Sequence, residues 1–486
     1  MVQCEKKNSL LRIAKTASLI IFLCCSSFFF PGALLSSSGS IPPSVHRFGV
    51  DGLTLDLIQK IQEMGVYRSG MNGLSWQMLE PKEKDEMGHH YDPQVWERIR
   101  HGSRLLASLG HKVQANLLTR NEWAVETFDR DYIDPGDGKP MPMLKRIKPE
   151  HHEDYCNLIK RLLHESRDTI AAIQIGSEAE NAWYSAEGYV EALKIAYQTI
   201  KEVAPEVEVW AGGFNMGPFF SLDEASQQKY LESPQGQKIQ RKIDFVQSFL
   251  TSASPYFDKL TLHLPHGPET IAPTVEWFKN EMKKNHYQKP IWIDDMASGV
   301  RPLQCSPGDL PEWLQRMENG DEEAIKQFRK EQASNLVKKI VTAFASRVEG
   351  IYLSSDTDWK HYFMPCWRWM GLMDHQGNPY PAFYSYQQAI QFLSDFTVSE
   401  PISEWAYGFW STDEHPSVVV AWSEEDCYIN LADLFPGPWV KITRLNDTWG
   451  KTIAESEITE ASYIPIGPKP IYIEYYDPGE TRGRGW

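Results

Sequence analysis

Two acidic positions in the sequence lie where two predicted strands end, and their types are suited to acid–base chemistry. The run TIAAIQIG (169–176) predicts a buried strand, which Ser177 and Glu178 follow. The run PIWID (290–294) predicts a second strand, which Asp295 follows. Two carboxyl groups facing each other across a cleft are the apparatus of glycoside hydrolysis: one protonates the leaving oxygen, and the other is ionised as nucleophile or base. A single acidic residue is more often a cap or a surface ion pair, so the hypothesis depends on both residues facing one cleft.

The elements that would bring these positions together are strands alternating with helices between residues 46 and 392. Eight short apolar runs alternate with segments of helical periodicity. This alternation predicts an α/β fold, a (β/α)8 TIM barrel, in which the C-terminal ends of all strands meet at one mouth. A doubly wound open sheet is the alternative, but no glycine-rich phosphate loop follows the first strand. The longest connections, which we expect to border the site, are 119–149, 214–238 and 295–320.

The pattern changes after about Phe396 to short runs of period two that are separated by turn residues. These runs predict a small antiparallel β-sandwich. We therefore divide the chain into an N-terminal segment (1–40), a barrel of the catalytic type (41–395) and a β-sandwich accessory domain (396–486). No linker rich in Ser, Thr or Pro separates the last two, so we expect the β-sandwich to pack directly on the barrel.

The N-terminal segment has the layout of an export signal. Basic residues precede an apolar run, SLIIFLCCSSFFF (18–30), which Pro31 interrupts and small residues follow. The run is shorter than the ~20 residues of a membrane span. We therefore expect cleavage and export to the medium, the periplasm or the cell surface. A retained anchor, and hence a membrane tether through this segment only, is the alternative.

The charge balance and the cysteines argue against several functional classes. The 486 residues include 65 acidic and 49 basic side chains, a net charge of −16, which argues against nucleic-acid binding. Export would leave four of the seven cysteines, and one or two disulfides among them are compatible with an oxidising compartment. Their wide spacing is not a metal motif, and no cofactor motif occurs. The sequence therefore predicts neither a metal nor a cofactor.

Several segments, in the right order, resemble clan A of the glycoside hydrolases and are similar to family 39 and the related families 5 and 42. They are RFGVDGLTLDLIQKIQEMGVYRSGMNGLSWQMLEP (47–81), IAAIQIGSEAENAWYS (170–185), FDKLTLHLPHG (257–267), KPIWIDDMASG (289–299) and MGLMDHQGNPYPAFYSYQQAI (370–390). The resemblance implies cleavage of O-glycosidic bonds in an oligo- or polysaccharide. It also implies that Glu178 is the acid/base and Asp295 the nucleophile.

Two positions depart from the clan pattern. Ser177 stands where the clan has Asn, and Asp295 stands where the clan has Glu. The shorter Asp side chain withdraws its carboxylate by about 1.5 Å. This moves the pair from the ~5–5.5 Å separation of retaining enzymes toward the ~6.5–9.5 Å of inverting ones. Three hypotheses stay open: Asp295 as nucleophile of a retaining enzyme, Asp295 as base of an inverting enzyme, or an altered or non-catalytic glycan-binding or scaffold protein.

Other residues near the predicted strand ends are candidates for substrate contacts. Arg68 is expected to pair with the Asp295 carboxylate and keep it ionised, and His263 to orient a carboxylate or a sugar hydroxyl. Flat apolar sugar faces stack on aromatic rings, and Trp359 is the preferred platform. The further candidates are Trp76, Asn121, Trp123, Ser177, Glu180, Asn181, Trp183, Tyr184, Asp294 and Trp367. For each of these, core packing or a solvated loop position is the alternative.

Overall fold

The structure is a computed structural model that describes residues 46–81, 93–129, 141–166, 169–300, 310–359, 364–411, 416–430, 433–434, 440–445, 453–458 and 463–475. The prediction for residues 1–40 lies outside the described residues. Within the described part of the chain, no helix is long and apolar enough to cross a membrane.

Eight parallel strands close into a barrel, which confirms the predicted fold. They are β1 (Phe48–Val50), β2 (Arg68–Ser75), β3 (Lys112–Leu118), β6 (Ile170–Ile175), β7 (Glu208–Phe214), β8 (Lys259–His263), β9 (Ile291–Met296) and β10 (Gly350–Leu353). Their order around the barrel is β1, β10, β9, β8, β7, β6, β3, β2. Because all strands run in the same direction, their C-terminal ends form one mouth.

Helices form where the sequence combines a capping residue with an apolar stripe. They are α1 (Ile58–Glu63), α2 (Trp76–Leu79), α3 (Pro93–Ser108), α4 (His152–Glu165), α5 (Ala179–Ala182), α6 (Ala186–Val203), α7 (Glu224–Leu231), α8 (Pro234–Ser252), α9 (Ile271–Lys284), α10 (Glu312–Glu318), α11 (Glu322–Ala345) and α12 (Pro381–Leu393). In α6, the Ser185 side chain accepts a hydrogen bond from the backbone N–H of Gly188 at the helix start. The same helix buries Tyr189, Leu193 and Ile200.

All three of the predicted long connections contain regular structure, and the one after β9 holds α10. The connection after β3 holds a hairpin of β4 (Val125–Phe128) and β5 (Met143–Ile147). These strands are so short that their alternation does not stand out in the sequence. The connection after β7 holds α7 and the start of α8, which begins at Pro234 because Ser233 caps it and proline suits the first helical position. The hairpin places regular structure beside the mouth.

The C-terminal region is a small antiparallel β domain, as predicted. Its strands are β11 (Val398–Ser403), β12 (Ala406–Trp410), β13 (Val418–Ala421), β14 (Cys427–Asn430), β15 (Val440–Leu445), β16 (Ile453–Ile458), β17 (Tyr463–Ile466) and β18 (Ile471–Tyr475). A six-stranded sheet has the order β11, β12, β13, β18, β15, β16, and β14 pairs with β17 in a second sheet. Ile429, Ile464 and Ile473 belong to one buried cluster between the two sheets.

The β domain packs against α11 and α12, on the helical outside of the barrel. The rings of Phe392 and Tyr472 stack at 4.6 Å. The Ser399 hydroxyl donates a hydrogen bond to the carbonyl oxygen of Phe344 at 2.6 Å. These contacts fix the β domain to the outer helices and leave the barrel mouth to the loops that follow the strands.

Candidate active site

Glu178 lies just beyond the C-terminal end of β6 and precedes α5. Its backbone is left-handed, with φ at 45°, a conformation that is uncommon for residues other than glycine and is frequent at functional sites. Its N–H donates to the carbonyl oxygen of Gly213, at 3.1 Å. Its Oε1 accepts a hydrogen bond from Asn215 Nδ2 at 2.9 Å, and its Oε2 accepts one from Asn181 Nδ2 at 2.8 Å. Both carboxylate oxygens are therefore held by amide donors, while 28% of the side chain stays exposed.

Asp295 lies near the C-terminal end of β9, at the same mouth. Its Oδ1 accepts a hydrogen bond from the hydroxyl group of Ser354, which directly follows β10. Its side chain is 22% exposed, similar to that of Glu178. The structure thus places both predicted carboxyl groups at the mouth, each with a face toward solvent.

His263, the last residue of β8, stands between the two carboxyl groups. Its Nδ1 lies 3.5 Å from Glu178 Oε1 and 3.7 Å from Asp295 Oδ2, and its Nε2 lies 3.4 Å from Asp294 Oδ2. Glu178 Oε1 and Asp295 Oδ2 are both close to His263 Nδ1, so the sum of their distances to this atom is the largest separation that the two oxygens can have. That limit is above the ~5–5.5 Å of retaining enzymes and in the lower half of the ~6.5–9.5 Å range of inverting ones. The geometry therefore admits both stereochemical outcomes.

A glycine at the end of β7 makes room for this arrangement. Gly213 has φ at 59°, and a Cβ atom there would lie 2.7 Å from His263 Nε2 and 3.2 Å from the backbone nitrogen of Glu178. Any L side chain would therefore push the imidazole away from the acids and also strain the backbone.

The three groups shift one another's protonation. Burial alone would raise the pKa of Glu178, but attraction to His263, with Lys242 and Asn215, outweighs burial and lowers that pKa far below its usual range. Burial alone would lower the pKa of His263, but its acidic neighbours raise it well above the ordinary value. Burial raises the pKa of Asp295, although His263 and Ser354 act in the opposite direction. The imidazole is therefore protonated, and its positive charge interacts with all of the neighbouring carboxyl groups at once.

A further carboxyl group, which the sequence reasoning missed, lies beneath the mouth. Asp51 directly follows β1 and is 6% exposed. The glycine at position 70 on β2 leaves room for the Asp51 side chain, since a Cβ atom there would lie 1.6 Å from Asp51 Oδ1. Burial raises the pKa of Asp51 well above its ordinary value, and the charges of Asp294 and Asp295 act in the same direction. Asp51 is therefore a fourth carboxyl group that interacts electrostatically with His263, besides the three that lie close to its ring.

Behind the mouth, a buried ion pair positions the amide that holds Glu178. Glu180 is fully buried, and its Oε1 lies 3.2 Å from Lys242 Nζ. The same carboxylate accepts from the backbone N–H of Asn215 at 3.2 Å, and Lys242 Nζ donates to the Asn215 carbonyl at 2.6 Å. Glu180 is therefore a positioning residue that does not reach a sugar hydroxyl, contrary to expectation.

The expected pairing of Arg68 with Asp295 is wrong. Arg68 is the first residue of β2 and so lies at the N-terminal end of the barrel, away from the mouth. Its guanidinium lies 4.4 Å over the ring of Trp292, and its Nε donates to the Tyr352 hydroxyl at 2.8 Å. The sequence reading ends this strand too early, so it assigns to the strand end a residue that begins the strand.

Two predicted stacking residues belong to the hydrophobic core instead. Trp76 has no exposed surface, packs 5.1 Å from Tyr155 and donates from Nε1 to Glu80 Oε2 at 2.7 Å. Trp183 is 1% exposed and packs 5.8 Å from the Tyr189 ring. Because a sugar face cannot reach a ring without exposed surface, both predictions of substrate contact are wrong.

Asn121 and Trp123 shape the loop after β3. Asn121 is 1% exposed, and its Oδ1 accepts hydrogen bonds from the backbone N–H groups of Trp123 and Ala124, at 3.0 and 3.1 Å. Such a turn satisfies the backbone locally and leaves Asn121 no free surface for a ligand, so its predicted substrate contact is wrong. Trp123 is half-buried and donates from Nε1 to the carbonyl oxygen of Glu80 at 3.1 Å.

The remaining candidates lie near the mouth, where their substrate contacts stay predictions. Ser177 is half-buried and immediately precedes Glu178. Trp359 follows β10 and is half-buried, with its ring 6.1 Å from that of Trp367. A Cβ atom on Gly52 would lie 3.7 Å from the Trp359 ring, which places this ring beside the end of β1.

Three of the site residues that the sequence did not reveal share one signal. Asp51, Asn215 and Ser354 each come directly after a barrel strand, as their positions after β1, β7 and β10 show. The rule that finds Glu178 and Asp295 would also have found them, had it been applied to every strand. Lys242 carries no such signal, because it reaches Asn215 from the middle of α8.

Among the residues that the structure describes, no group of three His, Cys, Asp or Glu side chains is arranged to hold a metal ion. Cys366 is disulfide-bonded, whereas Cys156 and Cys427 are free thiols.

The fold is a (β/α)8 barrel that is similar to the barrels of solved glycoside hydrolases, so the predicted resemblance is confirmed for the fold. A family 39 glycoside hydrolase from Bacteroides cellulosilyticus WH2 is 14% identical, with a TM-score of 0.59, over 89% of this chain and 82% of that one. A glucosidase from Croceicoccus marinus is 9% identical (TM-score 0.52), and a family 30 endoxylanase from Clostridium papyrosolvens C71 is 12% identical (TM-score 0.50). Each covers 88% of this chain and 95% of its own. No protein-family model and no curated protein sequence matches this chain.

Proposed function

We propose that the protein is an exported glycoside hydrolase that cleaves O-glycosidic bonds of an oligo- or polysaccharide with two carboxyl groups. One observation carries this proposal: Glu178 and Asp295, at the C-terminal ends of two barrel strands, both lie within 3.7 Å of the same imidazole. The fold that the chain has in common with solved glycoside hydrolases supports the same activity. The partly exposed carboxyl groups of Glu178 and Asp295 at the mouth disfavour anionic sugars, so the proposed substrate is uncharged at the reacting unit.

The proposed roles follow the resemblance, with Glu178 as acid/base and Asp295 as nucleophile or base. The proton that the acid requires is held on His263, 3.5 Å from Glu178 Oε1. As a sugar displaces water from the mouth, the proton passes from Nδ1 to Oε1, and Glu178 then donates it to the leaving oxygen as the glycosidic bond breaks. The raised pKa of Asp295 makes its ionised carboxylate a stronger nucleophile or base.

Export is part of the proposal because two sequence features favour an oxidising compartment. The first is the layout of residues 1–40, with basic residues followed by a short apolar run. The second is the disulfide at Cys366, since stable disulfides are rare in reducing compartments. Expression of the full chain in a secreting host, followed by N-terminal sequencing of the product, tests this part. Cleavage near residue 40 supports it, and a chain retained in the cytosol with its first residues intact contradicts it.

The activity is tested with the purified protein on a panel of aryl glycosides and neutral polysaccharides. The double variant Glu178→Gln/Asp295→Asn serves as the blank. We expect hydrolysis by the wild type alone, and NMR of the first-formed anomer then assigns retention or inversion. A wild type that hydrolyses nothing on the panel but is retarded by glycans in affinity gels would overturn the enzyme proposal in favour of a glycan-binding protein.

A further inference from the structure

Two aromatic rings are in contact with each other and yet remain about half exposed. Phe128 is 51% exposed and Tyr184 is 52% exposed, and their ring centroids lie 4.9 Å apart with an interplanar angle of 35°. Aromatic side chains that can reach each other normally also bury themselves against the core. A contiguous apolar surface that stays open to solvent indicates a binding surface.

The pair lies on the mouth side of the barrel, close to Glu178. Phe128 ends β4, in the hairpin that follows β3, and Tyr184 comes just after α5. The backbone N–H of Tyr184 donates to the carbonyl oxygen of Leu144 at 2.8 Å, which ties the two ring-bearing segments together. Glu178 precedes the one-turn helix α5, so the Cα atoms of Glu178 and Tyr184 lie within ~13 Å along this path.

We propose that Phe128 and Tyr184 form a distal sugar subsite that stacks on one neutral pyranose unit of the substrate chain. The proposal rests on the proposed function, and it specifies the substrate as a chain long enough to reach from the carboxyl groups to this pair. A pyranose face carries C–H groups that pack on aromatic rings. Among the described residues beside the pair, Glu126 contacts Arg146 at 2.7 Å and Lys145 at 3.5 Å, so it offsets part of their positive charge. Stacking on a neutral pyranose requires no charged partner.

A second exposed aromatic surface provides a matched control. Tyr428 and Tyr463, on the outer face of the β14–β17 sheet, are 69% and 60% exposed. Tyr428 also borders a cleft of about 620 Å³ in the β domain. This surface belongs to the domain that packs against the outer helices, so it has no continuity with the mouth. It matches the proposed subsite in chemistry but differs from it in position.

The test compares Phe128→Ala, Tyr184→Ala and Tyr184→Phe with the control Tyr428→Ala/Tyr463→Ala. For an oligosaccharide substrate, we expect the two subsite alanine variants to raise KM about ten-fold, the scale of one lost aromatic contact. We expect kcat/KM for a single-sugar aryl glycoside to stay unchanged, and Tyr184→Phe and the control to behave as wild type. Equal losses on both substrates, or a loss confined to the control, would overturn the proposal.

Affinity gels separate this proposal from the proposed activity. One outcome is a wild type that hydrolyses nothing and is still retarded by a neutral polysaccharide. In that case, weaker retardation of Tyr184→Ala, with the control variant retarded as strongly as the wild type, supports a sugar subsite without catalysis. Retardation equal to that of the wild type overturns the subsite, and so does a wild type that no polysaccharide on the panel retards. Thermal melting of each variant verifies that the fold is intact.

Discussion

The two ends of the barrel differ in chemistry, although the same eight strands supply both. At the N-terminal end, the Arg68 guanidinium lies over Trp292 at 4.4 Å and donates to the Tyr352 hydroxyl. Lys259 Nζ lies 2.7 Å from Glu349 Oε2, which also accepts a hydrogen bond from Trp292 Nε1 at 2.7 Å. Cations, aromatic faces and acids are matched here, as in a surface that serves stability.

At the C-terminal end, acids outnumber the groups that balance them. Glu178, Asp294 and Asp295 all lie within 3.7 Å of His263. The buried Oδ1 atoms of Asp51 and Asp294 have no hydrogen-bond partner among the residues that the structure describes. An unpaired buried carboxylate oxygen destabilises a fold, so the two that lie beside the mouth suit an end that serves function better than one that serves stability.

The largest expected effect comes from removing a carboxyl group at the C-terminal end. We expect Asp295→Asn to abolish hydrolysis, and Glu178→Gln to lower kcat/KM by about 10²–10⁴-fold, mainly for substrates with poor leaving groups. The melting temperature should stay the same or rise for Asp295→Asn, because burial disfavours the charge of that carboxylate, and it should fall for Glu178→Gln, because the lowered pKa of Glu178 means that the folded state stabilises its charge. Steady-state kinetics on aryl glycosides with leaving groups of graded pKa, with melting curves alongside, measure both. For Asp295→Asn, a fall in melting temperature that accounts for the lost activity would contradict the contrast between the ends.

At the N-terminal end, Arg68→Met should lower stability and leave activity nearly unchanged. The change removes a desolvated cation–π contact and a hydrogen bond, so we expect the free energy of unfolding to fall by about 2–3 kcal/mol. The kcat of the folded protein should stay within about two-fold of wild type. Arg161→Met is the matched control, since its guanidinium lies 4.5 Å over Trp96 on the helical outside and is more exposed. A clear loss of kcat in fully folded Arg68→Met would show that this end reaches the site.

The placement of Glu178 and Asp295 at one mouth could be predicted because it follows from local pattern and topology. An apolar run followed directly by an acid marks a strand end, and parallel closure brings all such ends to one mouth. Glu178 and Asp295 need no other information. The same reasoning fails for Arg68, because Gly70, Asn72 and Gly73 interrupt the apolar pattern of β2, and the strand is then read as ending too early.

The tryptophans could not be assigned from the sequence, for a different physical reason. A ring that stacks on a sugar and a ring that fills a core are the same side chain, and only tertiary packing decides between them. Trp76 and Trp183 follow strand ends as Trp359 does, but the hairpin β4–β5, Tyr155 and neighbouring helices cover them. Long-range packing of this kind also produces the Glu180–Lys242 pair.

The pH dependence of stability sharpens the contrast, because the raised pKa of His263 belongs to the C-terminal end. A group whose pKa is raised on folding contributes fully below its unfolded value, about 6.5, and the contribution is lost as pH rises through the folded value. Burial lowers the pKa of Lys339 to about 7. The contribution of Lys339 to stability therefore increases as pH rises from about 7 to about 10.5, which is opposite to the effect of His263. We therefore compare wild type with His263→Gln, so that the Lys339 contribution cancels.

Urea unfolding at several pH values from 5 to 9 measures this difference. The stability advantage of wild type over His263→Gln should shrink as pH rises from about 6.5 toward the folded pKa, by at most ~1.4 kcal/mol per pH unit. The acidic groups that face His263 are Glu178, Asp51, Asp294 and Asp295. The pKa of Glu178 is lowered, so its contribution changes on the acid side, whereas the pKa values of Asp51 and Asp295 are raised, so these two groups also change the difference at higher pH. A difference that is constant across this range would contradict a charged imidazole at the mouth.

The smallest expected effect distinguishes two asparagines that the sequence treats alike. Asn181 donates to Glu178 Oε2 at 2.8 Å, whereas Asn121 accepts from the backbone of its own turn. We expect Asn181→Ala to lower kcat/KM about ten-fold with little change in stability, and Asn121→Ala to lower the free energy of unfolding by about 1 kcal/mol with kcat unchanged. Kinetics and urea unfolding on both variants form the test, and each variant is the control for the other. If both variants lost activity equally, the hydrogen bond from Asn181 to Glu178 would not explain the difference between the two asparagines.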